Sequence, residues 1–319
     1  MAISAGSLIR VWSLRALDRL MFENPWMQVV DDRTAEAGGR RYFTLTDVKQ
    51  EIRLNTRTTN SQDFGTARQP DSQDFGMDAH NHKYDWNEAV PILDEMETGP
   101  SLSASVDRWK TNRVVNQISA DIRAKVDAAT PRDTNELTIV AGADFLSAEN
   151  LKKIVYEFAI RREFADAIGM PEGSRCAIIS PKVRTALAVY LMDKGTDMSF
   201  GLARSTFLGM PVMQCHGWDI LFDRSILGDF TTAGTKQSPM YFLQKNRTVP
   251  FFKQIHWSRV IVDQNAPQNK YQGLLHYDAI VPEEIDLGAS AVDPDAYSDV
   301  TSGRYAESLM VSNFTVTSA

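Results

Sequence analysis

The sequence predicts an α+β fold, with strands and helices mixed along the chain and no regular βαβ cycle. Three observations carry this. Residues 84–97 alternate apolar and polar with period two and lead into 102–129, a run without Gly or Pro that reads as a helix. Ser147 stands before a second apolar stripe at helical spacing, closed by Gly169 and Pro171. Residues 271–281 place Tyr271, Gly273, Leu275, Tyr277 and Ala279 on one face of a long extended segment.

Taken in order, residues 8–22 are weakly helical, with Leu14, Leu17 and Met21 in step, and Asn24-Pro25 ends them. Trp12, Phe22, Trp26 and Met27 crowd this region, so they must dock on their own domain or on a neighbour. Residues 41–59 read as two strands. In the second, Val48, Ile52 and Leu54 share one face while Lys49, Glu51, Arg53 and Arg57 line the other, a wet or salt-bridging face. The polar stretch 60–83 repeats Ser61-Gln62-Asp63-Phe64-Gly65 as Ser72-Gln73-Asp74-Phe75-Gly76. Two copies are too few for a solenoid, and so long a polar excursion between strands marks a functional or extended loop.

In 84–97, Tyr84, Trp86, Val90, Ile92 and Met96 oppose Asp85, Asn87, Glu95 and Glu97, with Glu88 and Asp94 breaking the apolar face. Pro91 removes a ladder donor and places this strand at a sheet edge or on a bulge. After Gly99-Pro100, Ser101 or Ser103 caps a helix that would reach about 40 Å. Leu102, Val106 and Trp109 fall on one side of it, and Val115, Ile118, Ile122 and Val126 on nearly the opposite side. Either one straight helix meets different material at its two ends, or it breaks near Thr111-Asn112.

Residues 131–136 read as a chain break, 137–140 as a short strand, and 193–206 as a loop. The helix after Ser147 presents Leu151, Ile154, Val155, Phe158, Ala165 and Ile168 on one face. Residues 176–179 form a buried strand that runs into Ser180-Pro181, an N-cap followed by proline at the first helical position. The helix beyond carries Val183, Leu187 and Tyr190 and ends at Gly195. Strands follow at 212–215, 218–222, 241–244 and 254–262.

Composition narrows the function. Apolar residues make up 43% and charged residues 24% of 319, enough for a real core in one large or two ordinary domains. Cys176 and Cys215, both in apolar surroundings, read as buried free thiols in a reducing compartment. Of the net charge of -7, residues 283–319 carry seven acids against Arg304, or -6, leaving -1 for the rest. That tail, rich in Ser, Ala and Thr, reads as mobile in part until docked. No basic stripe indicates sequence-specific nucleic-acid binding. No apolar run approaches a membrane span, and Arg10, Arg15, Asp18 and Arg19 interrupt the N-terminal one, so a soluble intracellular protein is expected.

Catalytic signatures are missing: there is no P-loop, G-x-G-x-x-G, G-x-S-x-G or H-E-x-x-H. His80 and His82 beside Asp78 lack a matching ligand cluster and read as solvated loop histidines rather than a metal site. Cys215 and His216, adjacent in a strand, point to opposite faces. Asp94, Glu95 and Glu97 read as solvated carboxylates. We therefore expect no catalytic, cofactor-binding or metal-binding residue.

The order of these pieces resembles a tailed-bacteriophage major capsid protein of the Hong Kong 97-type fold. An N-terminal arm (1–39) precedes an extended β-hairpin loop (40–83). A peripheral domain follows with its edge strand and long spine helix (84–135), then an axial domain (136–263), a return to the peripheral domain (264–289) and a C-terminal tail (290–319). Ile178-Ile179-Ser180-Pro181 and Leu208-Gly209-Met210-Pro211-Val212 are similar to recurring turns of such proteins. The resemblance implies a homo-oligomer of hexamers and pentamers closing an icosahedral shell around double-stranded DNA, contacted non-specifically. It implies a virion location after assembly in the host cytoplasm, no cofactor, no membrane, and a separate scaffold, a portal and cement proteins as partners. Trp12, Trp26, Lys49, Glu51, Arg53, Arg57, Phe64 and Phe75 become candidate inter-subunit contacts. No lysine lies between Gln50 and His82, so a covalent crosslink from the loop tip is not expected. An encapsulin-like shell shares the fold, and a soluble enzyme with an unrecognised site is the alternative from another class.

Overall fold

The computed structural model describes residues 25–48, 72–91, 101–140, 147–193, 205–207, 210–226, 236–263, 268–283 and 306–317. Its strands are β1 (Asp31–Asp32), β2 (Tyr42–Val48), β3 (Ser72–Asp78), β4 (His82–Pro91), β5 (Pro131–Val140), β6 (Arg175–Ile179) and β7 (Ser205–Phe207). They continue as β8 (Met210–Cys215), β9 (Trp218–Phe222), β10 (Lys236–Gln244), β11 (Pro250–Asp263), β12 (Gln268–Ala279) and β13 (Ala306–Thr317). The helices are α1 (Thr34–Ala37), α2 (Ser101–Ala128), α3 (Ala148–Ala167) and α4 (Pro181–Asp193). Among the described residues a seven-stranded sheet runs β5-β13-β10-β6-β9-β8-β7, a four-stranded sheet β1-β11-β12-β4, and β2 and β3 form a separate hairpin ladder.

The larger sheet is covered on both faces, which the two-residue period of its strands explains. Cys176, Ile178, Tyr241, Leu243, Leu309 and Val311 join one core with Val115, Ile118, Ile122 and Val126 of α2. Ala177, Ile179, Phe242, Met310 and Phe314 enter a second core with Leu151, Ile154 and Phe158 of α3 and Val183 and Leu187 of α4. Helix α2 also carries Leu275, Tyr277 and Ala279 of the smaller sheet in its core. One helix is thus the common wall of both sheets. At about 1.5–3 kcal/mol per fully buried large aliphatic or aromatic side chain, this shared layer is the main apolar bond between them.

Local signals place the helices as expected. The Ser147 side chain accepts from the Asn150 amide at 3.3 Å, and Ser180 Oγ accepts from the Val183 amide at 3.3 Å. Gly169, at φ +71°, takes the left-handed turn that ends α3. Pro91 closes β4, which lies at the edge of its sheet. Cys176 and Cys215 are buried free thiols, and burial pushes both pKa values up to about 12.

Several expectations are corrected. Residues 131–136 do not break the chain; they are the first part of β5, and Pro131 is tolerated as the first residue of an edge strand. Residues 72–78, read as loop, form β3, because Phe75 and Met77 alternate with polar residues and pair with Leu45 and Phe43. Helix α2 runs unbroken through Thr111-Asn112; the side chains of its first half lie outside the described residues. Residues 306–317, assigned to a tail, form the second strand of the larger sheet, parallel to β5 and antiparallel to β10. The boundary drawn at 263 does not follow the sheets either, since β11 pairs with β12 and β1 in the smaller one.

A polar clamp fixes β13. Arg161 and Glu157 of α3 are both buried and bonded at 2.8 Å, one helical turn apart. Ser312 Oγ donates to Glu157 at 2.7 Å and accepts from Arg161 Nε at 3.1 Å. Asn135 donates to Glu157 at 2.7 Å, and Asp133 accepts from Arg161, so β5 is tied into the same network.

Candidate functional site

The β2–β3 ladder is attached to the smaller sheet through a joint built from residues far apart in sequence. At its outer side, Arg41 donates through Nε and Nη2 to the two carboxylate oxygens of Asp78 at 3.0 and 2.9 Å. This fork closes the hairpin at its base. It also holds the Asp78 carboxyl down at about 2, well below its usual 3.8. Asp278, fully buried on β12, accepts from the Asp78 amide and from Asn81 Nδ2, each at 2.9 Å. Phe43 and Met77 pack with Phe252 and Ile280 in a small third core. The hairpin is therefore pinned to the outer face of the smaller sheet.

The chain then turns at 79–81 into β4, whose first residues face α2. His82 stacks on Tyr277, its register partner, with ring centroids 5.0 Å apart and 13° between planes. Asp121 of α2 lies 3.3 Å from His82 Nδ1, accepts from Tyr84 Oη at 2.7 Å, and also accepts from Tyr277 Oη. Gln117 donates to Asp121 Oδ1 at 3.1 Å. Burial, then the bond to Asp121, pushes the Tyr84 hydroxyl up to about 12, and the same causes raise Tyr277. Both phenols therefore stay protonated and act as donors. One carboxylate gathers the middle of α2, the start of β4 and the end of β12.

Further along β4, the Trp86 indole lies over Gly273, its partner across the ladder. A Cβ at residue 273 would sit 1.8 Å from that ring. Glycine is required there by contact.

Of the eight residues expected at inter-subunit contacts, Trp26 and Phe75 are among the described residues, and they lie apart, in different cores or ladders. Trp26 is corrected: it is fully buried in its own subunit, donates from Nε1 to Asp223 at 2.7 Å, and meets Tyr241 edge-on at 5.4 Å. It anchors the segment that continues through β1, because its own core had room for an indole and a partner for its N–H. Phe75 is half-buried on β3, opposite Leu45. Trp12, Lys49, Glu51, Arg53, Arg57 and Phe64 lie outside the described residues. His80 and His82 are corrected from solvated loop residues to packed ones; among the described residues no cluster of three potential ligands is placed to hold a metal. No described helix is long and apolar enough to cross a membrane. Arg41, Asp121, Tyr277 and Asp278 were not anticipated. The density of Asp78, His80, Asn81 and His82 was the one visible signal.

No protein-family profile matches the sequence, and no curated protein does. Solved structures do. The capsid of cyanophage P-SCSP1u matches over 91% of this chain and 87% of that one, with a TM-score of 0.59 at 11% identity. The chain has the Hong Kong 97-type capsid fold. A chain from Mycobacterium phage Che8 matches over 91% of both chains, TM-score 0.54 at 11% identity. The mature capsid of bacteriophage PhiM1 matches over 92% of this chain and 88% of that one, TM-score 0.54 at 10% identity. The likeness to these capsid structures is one of fold, carried across nearly the whole length of both partners.

Proposed function

We propose that this chain is the major capsid protein of a tailed phage, a structural subunit that self-assembles into hexamers and pentamers of an icosahedral shell around double-stranded DNA. The observation that carries the reading is the match of this fold, across 91% of the chain, to chains of about the same length. In this reading the seven-stranded sheet with α3 and α4 is the axial domain. The four-stranded sheet with α2 is the peripheral domain, and the β2–β3 hairpin is the extended loop that overlies a neighbour. The proposed partners are further copies of the chain, a scaffold, a portal, cement proteins and DNA held without sequence specificity. The proposed location is the virion, after assembly in the host cytoplasm. The reading assigns no catalytic residue.

Expression of the full chain with its scaffold, followed by negative-stain imaging and sedimentation, tests this. Megadalton shells are expected. A chain that stays monomeric at high concentration under those conditions overturns the proposal. Shells that enclose protein cargo in place of nucleic acid would assign it to the encapsulin-like alternative.

A further inference from the structure

A groove of about 460 Å³ lies between β4 and α2. Trp86, Val114 and Leu275 line its inside, while Asp85 and Glu88 of β4 and Arg113 of α2 stand exposed at its mouth. A stripe of α2 leads away from it: Arg113, Gln117, Ala120 and Ala124 fall at i, i+4, i+7 and i+11, and all four are exposed. The two alanines let a second helix approach closely. The stripe ends beside Arg123, which donates to the Ser225 carbonyl at 3.1 Å. Ser225 Oγ in turn donates to Asp223, the acceptor of the Trp26 indole. Pro25, where the described chain begins, therefore sits at one end of the stripe and the groove at the other. Arg113 and Ala124 are about 16 Å apart along the helix axis.

We propose that the chain's own residues 8–22, which lie outside the described ones, dock along this stripe and fill the groove. Their length fits: as a helix they span about 22 Å, and residues 23–24 join them to Pro25. Their pattern fits: Leu14, Leu17 and Met21 stand at helical spacing and, with Trp12, offer apolar surface to Trp86, Val114 and the alanines. Their charge fits as well. Arg10, Arg15 and Arg19 against Asp18 give them a net +2, opposite a mouth with two carboxylates and one guanidinium. Residues 92–100 and 284–305 are net -3 and -4, the wrong sign for that mouth. The contact closes within one subunit. It covers the outer side of α2 and gives the crowded aromatics of the N-terminal region a place to dock at home.

Photo-crosslinking of the full chain tests this. A benzophenone amino acid replaces Asn87 and, in a separate sample, Arg113, both exposed beside the groove. Heavy-isotope-labelled and unlabelled chains are mixed before assembly and illuminated, and mass spectrometry of the digest identifies the partner peptide and its copy. At least one position must crosslink to residues 8–22, and only within chains of one label. Asp85→Lys with Glu88→Lys is expected to lower the yield several-fold, and adding Arg15→Glu with Arg19→Glu to restore it. Crosslinks to other segments, to residues 8–22 of a differently labelled chain, or to nothing from both positions overturn the proposal. So does a yield that the lysines leave unchanged, or a loss that the compensating pair does not restore. The measurement reads one subunit and stands whether or not the chain forms shells.

Discussion

The interior of the larger sheet and the base of the hairpin are held by different physics. In the larger sheet, Arg175–Ile179 is buried along its whole length and flanked by helices on both faces. Its stability comes from apolar area, which carries no charge to titrate or to screen. At the hairpin base, small contacts of Phe43 and Met77 are supplemented by carboxylates, Asp78, Asp121 and Asp278, each serving several donors. Apolar cores tolerate only volume, whereas a charged joint can be tuned by protons and loosened one bond at a time. The molecule places its rigid material centrally and its adjustable material where an appendage departs.

The largest effect should come from breaking the apolar side of this contrast. Phe314→Ala, at a fully buried ring in the larger sheet, is expected to lower unfolding free energy by about 3–5 kcal/mol in denaturant titration. Tyr42→Ala on the hairpin, 62% exposed, should stay within about 0.5 kcal/mol. Equal losses at the two sites would remove the distinction.

Arg161→Met strands a buried Glu157, and about 3–5 kcal/mol should be lost. Adding Glu157→Leu should restore most of that, measured as a double-mutant cycle. If it does not, the clamp is an asset in itself and not only a satisfied liability.

A smaller, local effect is expected from Asp278→Ala, about 1–3 kcal/mol, because three donors, the amides of Asp78 and Ala279 and Asn81 Nδ2, lose a buried acceptor. The check is proteolysis: cleavage within the hairpin should accelerate while the thermal transition of the larger sheet moves little. Global unfolding would show that the hairpin base is part of the main cooperative unit.

The smallest effect concerns pH. Because Arg41 holds Asp78 at about 2, its ion pair contributes fully above the usual 3.8 and is lost as pH falls through about 2. Asp78→Asn should therefore differ from wild type at neutral pH and converge with it in strong acid, in thermal melts across that range. A constant difference would mean that the side chain acts by shape alone.

The contrast also explains what could be read from the sequence. Residues 176–179 are an unbroken apolar run, Ser147 and Ser180 are local caps, and Pro91 forbids an interior strand, so each of these needed only its neighbours in the chain. β13 was missed because Ser308 and Ser312 are polar and yet buried, satisfied by Thr248 and by the Glu157–Arg161 pair. β3 was missed because its repeat looked polar until Leu45 and Phe43 were placed opposite Phe75 and Met77. At the candidate site, Asp278 serves Asp78 across 200 residues, and Asp121 serves Tyr277 across 156. No local pattern encodes a partner at that distance. Trp26 was legible as a residue that must dock, though not as one that docks at home.

The position of β13 bears on how the chain is made. Every other strand of the larger sheet precedes it in the chain, yet it lies between β5 and β10. On the ribosome, β5 through β10 emerge with a gap where β13 belongs, and β5 has no neighbour in that sheet until residues 306–317 arrive. Ser312 likewise reaches the Arg161–Glu157 pair only then. A nascent chain, or one cut before residue 306, cannot close its larger sheet, so the sheet waits on the strand made last among its seven.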